Sequence, residues 1–152
     1  MNEFFKLLKQ DHMEVKDILE QLDETSENGA TMKKREQLFQ QLKEELVPHM
    51  KAEEGVFYTP LMEKEEARED ALEGMEEHHV SELVLKELDK MPKGDDKWAA
   101  KMRVFKELVD HHIKDEESNI FKSAKKAFDR DELHTIMTKF EQEKQKIRKN
   151  LR

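Results

Sequence analysis

A chain of 152 residues, 42% charged and 36% apolar, is long enough to bury one core. It contains no cysteine, which excludes disulfides, zinc ribbons, thiolate catalysis and iron–sulfur clusters. A formal net charge of −8 argues against a nucleic-acid partner, whose binding is led by phosphate contacts, and the apolar runs are too short to span a membrane.

Four glycines and three prolines are few enough to leave long helices intact. The first helix is expected from about residue 3 to about 25, because Phe4, Leu7, Leu8, Val15, Ile18, Leu19 and Leu22 recur at spacings of three and four. Its start, Met1 to Lys6, lacks the apolar stretch of a signal peptide, so a cytoplasmic location is expected. Ser26-Glu27-Asn28-Gly29 reads as a stop. A second helix is expected from Thr31 to about Met62, with Leu38, Leu42, Leu46, Val56 and Phe57 facing inward and a kink at Pro48. The third runs from near Glu66 to near Lys90 and carries Leu72, Val80, Val84 and Leu88. After a turn at Met91–Asp95, the fourth runs from near Asp96 to about Phe128 through Met102, Phe105, Leu108, Val109 and Ile113. Asp129-Arg130-Asp131 has the character of a helix N-cap. A fifth helix, Asp131 to Lys149, presents Leu133, Ile136, Met137 and Phe140 on one side. Its basic end, Lys144 to Lys149, reads as solvated and favoured by the helix dipole. The expected fold is all-α, an antiparallel up-down four-helix bundle over residues 1–128 with an additional C-terminal helix, 129–152, packed on its outside.

The chain repeats itself. Asp11-His12 is followed by Val15, Ile18, Leu19 and Leu22, and Glu77-His78 is followed at the same offsets by Ser81, Val84, Leu85 and Leu88. The stretch from His49 to Tyr58 aligns likewise with that from His112 to Phe121, each opening on His-x-x-x-Glu-Glu. Residues i and i+4 share a helix face, so His49 and Glu53 point to one place, as do His112 and Glu116. The flanking Leu46, Val56, Leu108, Val109 and Ile120 put those pairs at or beside the inward face. Burying unpaired imidazoles and carboxylates costs several kcal/mol each, so groups brought by four helices to one level need a shared partner. Two metal ions supply it, and nitrogen and oxygen donors without thiolate suit iron, manganese or zinc.

This arrangement, His12 … His49-x-x-x-Glu53 … His78 … His112-x-x-x-Glu116, resembles the hemerythrin-like, or HHE cation-binding, family over roughly residues 8–125. The resemblance implies a non-haem centre of two iron ions held by those six residues, with the two glutamates bridging. It implies a small diatomic partner such as oxygen or nitric oxide, or a role in sensing iron. Oxygen-carrying hemerythrins have a further His one turn before the third-helix ligand, where this chain has Gly74. That argues against oxygen carriage and for a more open or differently filled site.

Two other functions compete. An oxidase or peroxidase acting at a di-iron centre would need a substrate-sized pocket beside the metals, and a metal-free interaction module would be as stable without metal as with it. The third helix also leaves a choice open. The repeat selects His78 as ligand, whereas a helical wheel centred on Val80, Val84 and Leu88 points nearer Glu77; both serve only if that helix is distorted, as by a single-turn bulge. His79 and His111 are each expected outside the ligand set, with an exchange of roles with the neighbouring His left open, and His134 is expected at the surface. Glu54 and Glu117 are expected to face outward or to orient a ligand His, and Met13, Met50, Met75 and Met102 to serve packing.

Overall fold

The computed structural model describes residues 2–25 and 32–151, so the Ser26–Gly29 stop and the start of the second helix at Thr31 lie outside the described residues. Helix α1 (Glu3–Glu24) opens where the Asn2 side-chain oxygen accepts the Phe4 N–H at 2.8 Å. Helix α2 runs over Met32–Glu53, widens into a single π-helical turn at Glu54–Tyr58, and ends in a last turn at Thr59–Met62. A 3-10 turn, Glu65–Ala67, leads into α3 (Arg68–Lys90). Helix α4 begins at Asp96, where Asp95 accepts the Lys97 N–H at 2.9 Å. It repeats the pattern of α2, with an α stretch at Asp96–Asp115, a π turn at Glu116–Ile120 and a final segment at Phe121–Ala127. Helix α5 (Arg130–Leu151) is set off by a capping box, in which Asp129 accepts the Glu132 N–H at 2.8 Å and Glu132 accepts the Asp129 N–H at 3.0 Å.

The chain is all-α among the described residues. Helices α1 to α4 pack in a closed ring of sequential, antiparallel neighbours, and α5 lies against α2 and α1 on the outside. None of the described helices is long and apolar enough to cross a membrane. The interior is two apolar clusters with a polar layer between them. One gathers Phe4, Phe5, Phe57, Phe121 and Phe140, and the other Val15, Leu42, Leu85, Trp98 and Phe105. On α1 the passage between them falls at Asp11 and His12, both buried, after Leu8 and before Val15.

Three expectations need correction. On α3 the buried line is Ala71, Gly74, His78, Ser81, Leu85 and Leu88, whereas Leu72 and Val80 are each 43% exposed and Val84 is half-buried. Small residues let α3 approach its neighbours closely, and its larger apolar side chains were a poor guide to the inward face. Met13 is exposed at 64% and is no packing residue. The basic stretch of α5 is not simply solvated. Arg148 Nε donates to the Glu44 carbonyl at 3.4 Å, and Lys144 reaches Asp11 at 2.7 Å. Pro48 lies inside α2 without ending it and, lacking an N–H, leaves that Glu44 carbonyl without its donor in the helix.

Candidate metal centre

Four helices bring a histidine to the polar layer, and all four side chains are buried: His12 on α1, His49 on α2, His78 on α3 and His112 on α4. Glu53 and Glu116 join them, both with no exposure at all. Each of these two glutamates stands at the last position before or first position of a π turn, Glu53 ahead of Glu54–Tyr58 and Glu116 at the head of Glu116–Ile120. A π turn adds a residue to the helix circuit, and single π turns favour functional sites. Here the extra residue lets the glutamate and the aromatic that follows, Tyr58 or Phe121, both turn inward. The distortion falls on α2 and α4, while α3 is regular throughout.

Each imidazole is held from behind by an acid. His12 Nδ1 donates to Glu117 at 2.7 Å, His49 Nδ1 to Asp11 at 2.8 Å, His78 Nδ1 to Glu54 at 2.9 Å and His112 Nδ1 to Glu77 at 2.7 Å. Carboxylates accept only, so every Nδ1 carries the hydrogen and every Nε2 turns inward as the nitrogen free to take a ligand's place at a cation. The pattern follows the repeat. The acid before each helix-borne His, Asp11 or Glu77, orients the His of the next helix, and the second Glu of each Glu-Glu pair orients the His of the other unit.

The inward atoms crowd together. His12 Nε2 is 2.9 Å from Glu116 Oε1, His78 Nε2 is 3.2 Å from Glu53 Oε1, and His49 Nε2 is 3.5 Å from the same Glu53 oxygen. His78 Nε2 and His112 Nε2 face each other at 2.9 Å. Yet no aligned hydrogen bond satisfies either oxygen of Glu53 or Oε1 of Glu116. Buried carboxylate oxygens without donors, opposed by imidazole nitrogens with lone pairs, call for cations. Two donor groups are compact enough to hold them, His12, His49, Glu53 and Glu116 in one, and Glu53, His78 and His112 in the other, each with its atoms within 4.8 Å of one another. Glu53 belongs to both.

The electrostatics agree. Burial opposes charge on His49, but Glu53 and Asp11 raise it to about 10; against the same burial, Glu53 and Glu54 raise His78 to about 9. His12 is likewise raised against burial, by Glu116 and Glu117. Burial and then the charge of Glu53 push Glu116 up, while Glu53 is held well below the carboxylate range, against burial, by His49 and His78. Without metal, protons take the positions that cations would fill.

The choice between His78 and Glu77 has a structural answer for placement. His78 points into the layer and Glu77 stands behind His112, also 3.6 Å from the exposed His111. His79 and His134 are exposed. Two residues emerged that sequence reasoning had passed over. Tyr58 is fully buried, its hydroxyl donating to Glu116 Oε2 and standing 3.2 Å from His112 Nε2. Its ring fills the space beside Gly74: a Cβ there would lie 3.1 Å from two Tyr58 ring atoms and from the Ile120 side chain. The glycine opposite an aromatic at the repeat position of Phe121 was the available signal. The other is Asp11, marked by its match to Glu77 in the repeat.

A cavity of about 20 Å³ adjoins the four imidazoles, walled otherwise by Val15, Leu46, Met50, Val109 and Ile113, with the Ser81 residue contributing to the wall. A family model described as hemerythrin HHE cation binding domain matches residues 3–124. No curated protein and no solved structure matches the chain.

Proposed function

Because the chain belongs to the hemerythrin family of HHE cation-binding domains, we propose that it is a non-haem di-iron protein that binds or senses a small diatomic molecule, oxygen or nitric oxide, or iron itself. His12, His49, Glu53 and Glu116 would hold one ion and Glu53, His78 and His112 the other, residues 1–128 forming the metal-binding unit. The observation that carries the reading is the set of buried glutamate oxygens without donors, ringed by four imidazole Nε2 atoms whose Nδ1 atoms are all committed to acids. Such a donor set accepts iron and also manganese or zinc.

Bound iron would supply reversible ligand binding and redox chemistry. The chain's own contributions are separate. Asp11, Glu54, Glu77 and Glu117 keep each imidazole in one tautomer, and the apolar walls exclude bulk water. Tyr58 donates its hydroxyl hydrogen to Glu116 Oε2, its phenol kept protonated by burial and the nearby carboxylates. A cavity of about 20 Å³ holds one water-sized molecule, which favours a diatomic over the larger substrate an oxidase would bring.

The test is to load the chain with ferrous iron without air, then add oxygen or nitric oxide while recording the optical spectrum. A saturable change that requires iron and is lost in His49→Ala is expected. No spectral response to either gas from an iron-loaded chain would remove the diatomic reading.

A further inference from the structure

Helix α5 begins at Arg130, beyond the residues the family model matches, yet its side chains reach the centre. Lys144 Nζ lies 2.7 Å from Asp11 Oδ1, and the other Asp11 oxygen, Oδ2, takes the His49 Nδ1 hydrogen at 2.8 Å. Lys144 is only 13% exposed and Asp11 only 6%, so this link is largely shielded from water. Four residues earlier on the same helix face, Phe140 is fully buried with its ring edge-on to His49, centroids 5.6 Å apart at 79°. One turn further on, Arg148 docks the helix end on α2, at the Glu44 carbonyl that Pro48 leaves without a donor and at the Glu45 carboxylate, 3.1 Å away. Glu54, another orienting acid, also has a lysine beside it, but Lys51 is 3.6 Å away and 38% exposed.

We propose that α5 is a positioning element of the metal centre, fixing the His49 ring between Lys144-bound Asp11 on one edge and Phe140 on the other, and so strengthening one of the two ions selectively. The inference rests on the di-iron reading above. Asp11 has two oxygens; Lys144 occupies one and thereby aims the other at His49. Losing the ammonium frees the carboxylate to rotate toward water, and His49 then loses the partner that sets its tautomer. Partners of this kind are worth about 10–100-fold in metal affinity.

The experiment uses the full chain loaded with ferrous iron in the absence of air and challenged with an excess of a ferrous chelator. Two phases of iron release are expected in the unaltered chain, one for each ion. In Lys144→Met one ion should leave at least tenfold faster, the other at the original rate. Lys144→Arg, which restores the cation, should restore the slow phase, and Lys146→Met, an exposed neighbour, should change nothing. Asp11→Ala breaks the same link without touching α5 and should speed the same phase, which keeps the test valid if α5 substitutions loosen the fold. Wild-type release from both Lys144→Met and Asp11→Ala overturns the proposal while the di-iron reading stands. Equal acceleration of both phases, unrescued by Arg, overturns it too. A chain that takes up no iron at all fails at the earlier reading.

Discussion

The two donor groups are built from the same repeat and finished differently. Around His12 and His49, the rings pack against Phe121 and Phe140; Glu117, which orients His12, is 29% exposed, but the Asp11 that orients His49 is nearly buried and tied to Lys144. Around His78 and His112, the orienting acids Glu54 and Glu77 are 21% and 20% exposed, and a tyrosine stands where the other half has phenylalanine. The repeat sets which atoms point inward. Features the two copies do not share distinguish their surroundings: α5 stands beside the first group, and the Tyr58–Gly74 contact beside the second. The expectation is a more firmly held ion in the first group, where Lys144, Asp11 and Phe140 fix His49, and a more labile one in the second.

The largest effect should come from the residue both groups share. Glu53→Ala removes an oxygen donor from each and is expected to lower iron content from about two per chain to below one. Metal analysis after reconstitution checks it, and near-full loading would show that the groups do not depend on a common carboxylate. The second group is best separated by His78→Ala against Glu77→Gln. His78→Ala should weaken binding of one ion at least tenfold, about 1.4 kcal/mol, and Glu77→Gln less, because the amide still accepts the His112 N–H through its oxygen. Equal losses in competition titrations would make Glu77 a ligand in its own right.

Acid and base should act in opposite senses on the two forms of the chain. Without metal, His49 and His78 are held protonated up to about 10 and about 9, above the unfolded histidine value of 6.5. A raised folded value contributes stability that is full below the unfolded pKa and is lost as pH rises through the folded one. The metal-free melting temperature should therefore fall as pH is raised toward 9 and then 10. The groups facing these rings, Glu53, Asp11 and Glu54, remain ionised and then repel without compensation. Iron retention should instead weaken as pH falls, since protons compete for the same Nε2 atoms. Melting curves with and without metal that shift in parallel would contradict this.

The smallest effect sharpens the Tyr58 side. Gly74→Ala gains about 0.5–1 kcal/mol of helix propensity, but its Cβ meets Tyr58 and Ile120 at 3.1 Å inside the core. Overpacking costs about 1–3 kcal/mol, so a net loss of roughly 1 kcal/mol is expected in denaturant unfolding. A stabilised variant would mean that Tyr58 moves aside readily.

Much of this was legible from residue order. The five helices follow from apolar spacing, and His49-x-x-x-Glu53 repeated at His112-x-x-x-Glu116 marks the inward side chains that the structure gathers into one layer. The third helix misled the wheel because its inward line is made of Ala71, Gly74 and Ser81, residues too small to register as apolar bulk, while Leu72 and Val80 face out. The π turns left no mark in composition, since a bulge depends on how neighbouring helices pack. The link from Lys144 to His49 spans sequence separations of 133 and 38 residues, and no local pattern announces it.

Counting iron tests the central claim most directly. The unaltered chain, reconstituted with ferrous iron in the absence of air, desalted and measured by elemental analysis, should hold about two irons per chain, and Glu53→Ala should lose both donor groups together. Background metal in the unaltered chain after reconstitution would contradict the account.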